Sequence, residues 1–279
     1  MNQIGIMQGR LSPMLDNKIQ AFPIHTWQEE FQIAKSIGFK LIEWVVDTKS
    51  IDINPIFSND GRQKIKNLQN ETLVKVESIC CDNFVDLPLT EKDRNQRKKS
   101  FNVFCNIINI APTIGIKFIE LPLIGNASIQ QNDKRSLFLD ILGEVDDLIL
   151  ANDIKILIET DLNPVQISEL LQLGYKQNYF FNYDTGNSTF WGFDTKKEFE
   201  IYGDKIGNVH IKDCTPEKYS VPLGEGDTDF NEIMKLLMKK KYKGDFILQT
   251  ARSSPNKDLE VAKEYFLFTK MFLDKYLSE

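Results

Sequence analysis

Short apolar, β-branched runs alternate with longer amphipathic stretches along the whole chain, a pattern that predicts repeated strand–helix units. Eight runs read as strands: Gln3 to Met7, Leu41 to Val46, Val74 to Cys80, Phe118 to Leu121, Ile154 to Glu159, Tyr179 to Tyr183, Gly207 to Ile211 and Asp245 to Gln249. Their spacing of about 35 residues suits a strand, a crossover helix and two loops. Between them, apolar residues recur at helical spacing, as in Trp27, Phe31, Ala34 and Ile37 or Phe101, Phe104, Cys105 and Ile108. Such stretches predict outer helices with one buried face. Eight units in 279 residues predict an α/β protein of the (β/α)8 TIM barrel type, a single domain over residues 1–279. A doubly wound sheet with an irregular end gives a similar alternation.

Composition narrows the partners. A net charge of -6 and a pI near 5.2 provide no basic footprint for nucleic acid, so the expected ligand is a small molecule. No apolar run approaches the roughly 20 residues of a membrane span, and Gln3-Ile4-Gly5-Ile6-Met7 follows no basic leader. The expectation is a cytoplasmic protein with no membrane partner. The cysteines, at 80, 81, 105 and 214, lack the spacing of a disulfide framework or a zinc ribbon.

In a barrel the C-terminal ends of the strands converge on one pocket. Here apolar strands end in Glu120 (FIELPL), Glu159 (ILIET), Asp184 (FFNYD), His210 with Lys212 and Asp213 (NVHIKD), and Gln249 (FILQT). Buried charges are costly unless paired or bound to a metal. Oxygen ligands with one imidazole suit a hard or borderline divalent cation, Mn2+ or Mg2+ first and Zn2+ or Co2+ as alternatives.

At these residues the chain resembles the xylose-isomerase-like barrels, which include sugar isomerases and ketose 3-epimerases. The resemblance spans nearly the whole chain, and its most specific parts are the His210-x-Lys212-Asp213 run and the loop Gly224-Glu225-Gly226-Asp227. It implies a metal held by Glu159, Asp184 and His210, with Gln249 standing where the superfamily carries a second glutamate. In the epimerases the two glutamates serve as bases on opposite faces of the substrate. An amide cannot accept that proton, and the site lacks one negative charge, a difference on the order of 4 kcal/mol for a pair at about 4 Å and an effective dielectric of 20. The catalytic set expected is thus Glu159 as base, with Gln249 and Lys212 assisting. The expected activity is a metal-dependent sugar or sugar-phosphate isomerase or epimerase, isomerisation ahead of epimerisation because one base suffices for it. A barrel with a degenerate metal site that binds a sugar or a partner protein is the alternative. An endonuclease is disfavoured, since its zinc cluster draws on many histidines and this chain has two.

Other positions carry narrower expectations. Arg10, after the first strand, and Arg252, after the eighth, are neighbours in a closed barrel and predict a bidentate clamp for a phosphate. Glu43 and Glu120 are further candidates for substrate contact, each with bracing a cation as the alternative, and the resemblance implies a polar substrate contact at Asn187, where several relatives carry a histidine. Asp213 is expected to cap the loop that follows it. Trp44, Phe84, Phe190 and Trp191 read as packing residues, and Thr26 with Glu29 as a helix capping box. A homodimer or homotetramer is expected, with Phe190-Trp191-Gly192-Phe193 as an apolar loop suited to an interface.

Overall fold

The computed structural model describes residues 2–173, 177–252 and 257–277. Among these, eight parallel strands close into a barrel: β1 (Ile4–Met7), β2 (Leu41–Val45), β3 (Ser78–Cys80), β4 (Phe118–Leu123), β5 (Lys155–Thr160), β6 (Tyr179–Asp184), β7 (Ile206–Ile211) and β10 (Phe246–Leu248). Closure joins β1 to both β2 and β10. Helices such as Glu29–Ile37, Asn59–Thr72, Arg94–Ile110, Asn132–Ala151, Phe230–Lys239 and Asp258–Tyr276 form the outer layer. None is long and apolar enough to cross a membrane.

Strand alternation sorts side chains into two interiors. Ile6, Ile42, Trp44, Ile79, Ile119, Ile158, Tyr183, Val209 and Leu248 face outward into the large core shared with the helices. The intervening positions face the barrel axis. Met7, Leu41, Val45, Cys80 and Ile247 pack there as a small apolar cluster. Beside them, in register with Met7, Cys80 and Ile247, the inward positions Glu43, Glu120 and His210 are polar, and with Asn182 and Asn208 all are buried.

Three local features depart from the sequence pattern. The third strand begins at Ser78 rather than Val74, because the Val76 N–H donates to the Gln69 side chain at 2.9 Å instead of joining the ladder. The first long helix starts at Glu29 without a side-chain cap, since the Thr26 hydroxyl donates to Ser12 at 2.8 Å. An unexpected antiparallel hairpin, β8 (Asp213–Thr215) with β9 (Lys218–Val221), rises over the barrel mouth. Pro216 lies in the turn between the two strands.

Asp213 organises the segment beyond this hairpin. Its carboxylate accepts the N–H groups of Cys214, Gly224, Gly226 and Thr228 at 2.8–3.2 Å. A Cβ on Gly226 would lie 2.2 Å from Asp213 Oδ1, so this close approach requires glycine. The joint presence of Asp213 and the Gly224–Asp227 loop in the sequence therefore has a structural reason, and Asp213 is a loop anchor.

Candidate active site

Adjacent strands bring His210 and its neighbours together: Asp184 is in register with His210, and Pro122 with Glu159. His210 is completely buried. Its Nε2 lies 2.7 Å from Glu43 Oε1 and 3.2 Å from Glu120 Oε2. Its Nδ1 lies 3.4 Å from Glu159 Oε2 and makes no hydrogen bond. Asp184 uses one oxygen to cap the helix Thr185–Phe190 through the Asn187 N–H at 2.8 Å, and its Oδ2 is buried without a hydrogen-bond partner. Buried polar atoms are normally satisfied, so the orphaned Asp184 Oδ2 and His210 Nδ1 beside Glu159 mark a space shaped for a ligand.

Glu159, Asp184 and His210 present ligand atoms within 4.8 Å of one another, as do Glu43, Glu120 and His210. The first set fits a divalent cation better. In it the histidine would coordinate through the unengaged Nδ1 while Nε2–H donates to Glu43, the carboxylate–histidine–metal arrangement that fixes tautomer and ring orientation. Glu43 thus braces the imidazole, in line with the structural alternative for this residue, and has no exposed surface.

The cluster's charges are mutually dependent. Burial pushes the Glu120 carboxyl well above its usual range, only partly countered by His210. Burial also opposes charge on His210, but Glu120 and Glu43 outweigh it and hold the imidazolium well above its ordinary pKa. Glu159, likewise disfavoured by burial, is held at about 2 by the neighbouring His210, whose imidazolium charge favours the carboxylate. Asn182 and Asn187 donate to its two oxygens at 2.9 and 2.7 Å. Burial raises Asp184, against the opposing charge of Lys212, whose Nζ lies 3.8 Å from Asp184 Oδ2.

A cavity of about 200 Å³ opens beside this cluster, with room for a small metabolite. Glu159, Glu120, Lys212, Gln249 and Arg10 reach it from the expected set, joined by Gln20, Asp82 and Tyr219. The Lys212 side chain passes close over Gly186, where a Cβ would meet it at 2.6 Å. Its Nζ donates to Asn187 Oδ1 at 2.9 Å and stands 3.4 Å from the centre of the Tyr219 ring. Asn187 therefore links Lys212 to Glu159.

Gln249 donates to Gln20 Oε1 at 3.3 Å. Gln20 also donates to Asp82 and accepts from Arg10, so the loop after β1 closes one side of the cavity through a single amide. The arginines serve these loops as well. Arg10 donates to the carbonyls of Thr250 and Ile19, and Arg252 to those of Gly9 and Ser12. Arg252 lies outside the main cavity, 3.9 Å from Asp258, and shares with Arg10 a separate small recess. Of the four aromatics, Trp44 packs on Phe22 and Trp27, Phe84 on Phe104, Phe190 on Tyr219 and Trp191 on Phe193.

Asn182, Asn208, Gln20, Asp82 and Tyr219 were not singled out in the sequence. Two of them had a usable signal: Asn182 is two residues before Asp184, and Asn208 two before His210, so period-two alternation puts both on the inward face. Asn208 donates to Asn182 at 3.0 Å.

The chain is 29% identical over 246 residues to L-ribulose-5-phosphate 3-epimerase UlaE of Salmonella paratyphi A, covering 85% of this chain and 87% of that one. Its fold superposes on a structure of L-ribulose 3-epimerase with a TM-score of 0.78 at 17% identity, covering 99% and 96% of the two chains. It matches the IOLI protein, crystallised with a zinc atom, with a TM-score of 0.77 at 15% identity over 99% and 100%. The family model described as xylose isomerase-like TIM barrel matches residues 31–269, and the chain belongs to that family.

Proposed function

We propose that this protein is a divalent-metal-dependent epimerase or isomerase of a ketose or ketose phosphate, with Glu159 as the base. The observation that carries the reading is the grouping of Asp184 and His210, whose Oδ2 and Nδ1 are buried without a hydrogen-bond partner, with Glu159 at the edge of a metabolite-sized cavity. Glu159, Asp184 and His210 would hold the cation, and Gln249 offers a carbonyl oxygen as a fourth, neutral ligand. A bound Mn2+ or Mg2+ would polarise the substrate's carbonyl and hydroxyl oxygens, acidifying the adjacent C–H.

The chain's own groups do the rest. Glu159 is ionised at neutral pH and accepts the proton from carbon. The amides of Asn182 and Asn187 fix its two oxygens. Lys212, held between Asn187 and the face of Tyr219, places a positive charge where the substrate oxygen becomes anionic. The relatedness to L-ribulose-5-phosphate 3-epimerase favours a pentulose 5-phosphate as the first substrate to assay. Gln249 favours a second reading, isomerisation by one base.

The test is metal content of the protein purified without chelator, beside His210→Ala, followed by turnover of pentuloses, hexuloses and their phosphates. About one Mn, Mg, Co or Zn per chain, lost in the variant, is expected. Absence of metal after incubation with all four ions would reject the proposal and leave a sugar-binding barrel.

A further inference from the structure

Inverting a carbon requires a proton to leave one face and another to arrive on the opposite face. With Gln249 in place of a carboxylate, Glu159 can serve only one of them. The cavity contains a further carboxylate, at Asp82. Cys80 is in register with Glu120, and Pro122 with Glu159. Asp82, two residues beyond Cys80, stands past the end of β3 at the start of the helix Asn83–Asp86, and shares the cavity with Pro122 and Glu159. In the barrel order β4, with Pro122, stands between β3 and β5, so the Asp82 and Glu159 carboxylates reach the cavity from strands that are not adjacent.

Asp82 is held in a defined orientation. One oxygen accepts from Gln20 and the other from the Cys80 thiol at 3.3 Å. Burial raises its pKa to about 6, against these two hydrogen bonds and the charge of Arg10. Such a group exchanges protons readily near neutrality. Asp82 makes no contact with Glu159, Asp184 or His210 among the hydrogen bonds and ion pairs of the described residues, so it is free of the metal-binding role.

We propose that Asp82 is the second proton-transfer residue of this cavity, acting on the substrate face turned away from Glu159, so that the site inverts a ketose carbon despite carrying Gln249. This rests on the function proposed above. In one direction Glu159 takes the proton, the C–H electron pair enters the enediolate, and the protonated Asp82 carboxyl delivers its proton to the other face of the same carbon. The electron pair returns to the new C–H bond and no net oxidation occurs. Glu159 ends protonated and Asp82 ionised, and the reverse reaction uses the same two groups in exchanged roles.

The experiment follows C–H exchange in D2O with metal-supplied wild type, Asp82→Asn, Asp82→Glu and Glu159→Gln. The probes are L-ribulose 5-phosphate, L-ribulose and a panel of other pentuloses, hexuloses and their phosphates. For Asp82→Asn, epimer formation is expected to fall at least about 100-fold, while deuterium still enters the epimer whose C–H faces Glu159 within about tenfold of the wild-type rate. Asp82→Glu should restore part of the inversion, and Glu159→Gln should lose exchange in that epimer. Epimerisation by Asp82→Asn within about tenfold of wild type would overturn the role and leave Asp82 as an anchor for Gln20, with the proposed function intact. No exchange by wild type in any probe would overturn the function and this inference together.

Discussion

Replacing Asp213 by alanine removes one buried carboxylate that accepts the N–H groups of Gly224, Gly226 and Thr228 at 2.8, 3.0 and 3.2 Å. The residue is 1% exposed, so water cannot replace those bonds without opening the loop. Hydrogen bonds to charged groups contribute about 1.5–3 kcal/mol each. Loop relaxation recovers part of the sum, and the expected loss is about 4 kcal/mol, near the upper end for a single substitution. For a domain of this size that corresponds to a fall of about 8 °C in Tm, measurable by scanning calorimetry on the metal-free protein. Asp213→Asn keeps a single carbonyl acceptor and should lose about half as much. Gly226→Ala, whose Cβ would meet Asp213 Oδ1 at 2.2 Å and Cys214 O at 2.4 Å, should destabilise by about 1–3 kcal/mol through the same contact. A Tm for Asp213→Ala within about 2 °C of wild type, or about 1 kcal/mol, would refute the assignment of Asp213 as the anchor of this loop.

Lys212→Met removes a positive charge that stands 3.8 Å from Asp184 Oδ2 and competes with a bound cation. Titration calorimetry should show Mn2+ binding at least tenfold tighter, about 1.4 kcal/mol, while turnover falls; weaker binding would contradict the electrostatic argument. Glu30 carries a pH-dependent contribution. It is buried, accepts the N–H groups of Gly9 and Leu11, and burial raises its pKa to about 7 despite those bonds. Because the folded pKa lies above the unfolded one, its contribution is fully present below the unfolded pKa and is lost as pH rises through about 7. Glu30→Gln should therefore gain stability relative to wild type between about pH 5 and 8; parallel denaturation profiles across that range would exclude the effect.

The alternation of β-branched runs with amphipathic stretches marked the eight strand–helix units, because each strand must bury its outward side chains, such as Ile42, Ile119 and Val209, against a helix, while the pairing of β1 with β10 decides for a barrel over a doubly wound sheet. Polar groups at the ends of otherwise apolar strands, Glu120, Glu159, Asp184 and His210, marked one pocket, since the C-terminal ends of barrel strands converge. Asp213 was legible as a cap for the loop that follows it, but the pairing of Glu43 with His210, 167 residues apart, was not. Such pairs depend on which strands become neighbours when the sheet closes. Closure also decided that Nε2 of His210 is engaged and Nδ1 is not, that Arg10 and Arg252 hold loop carbonyls, and that Asp82 joins Glu159 at one cavity. The sequence determines the kind of side chain that each strand presents inward, because alternation is a local property of the backbone. Which of those side chains satisfy one another, and which stay open to a ligand, is decided by packing between segments distant in the chain, where burial makes an unpaired charge costly and selects the partners.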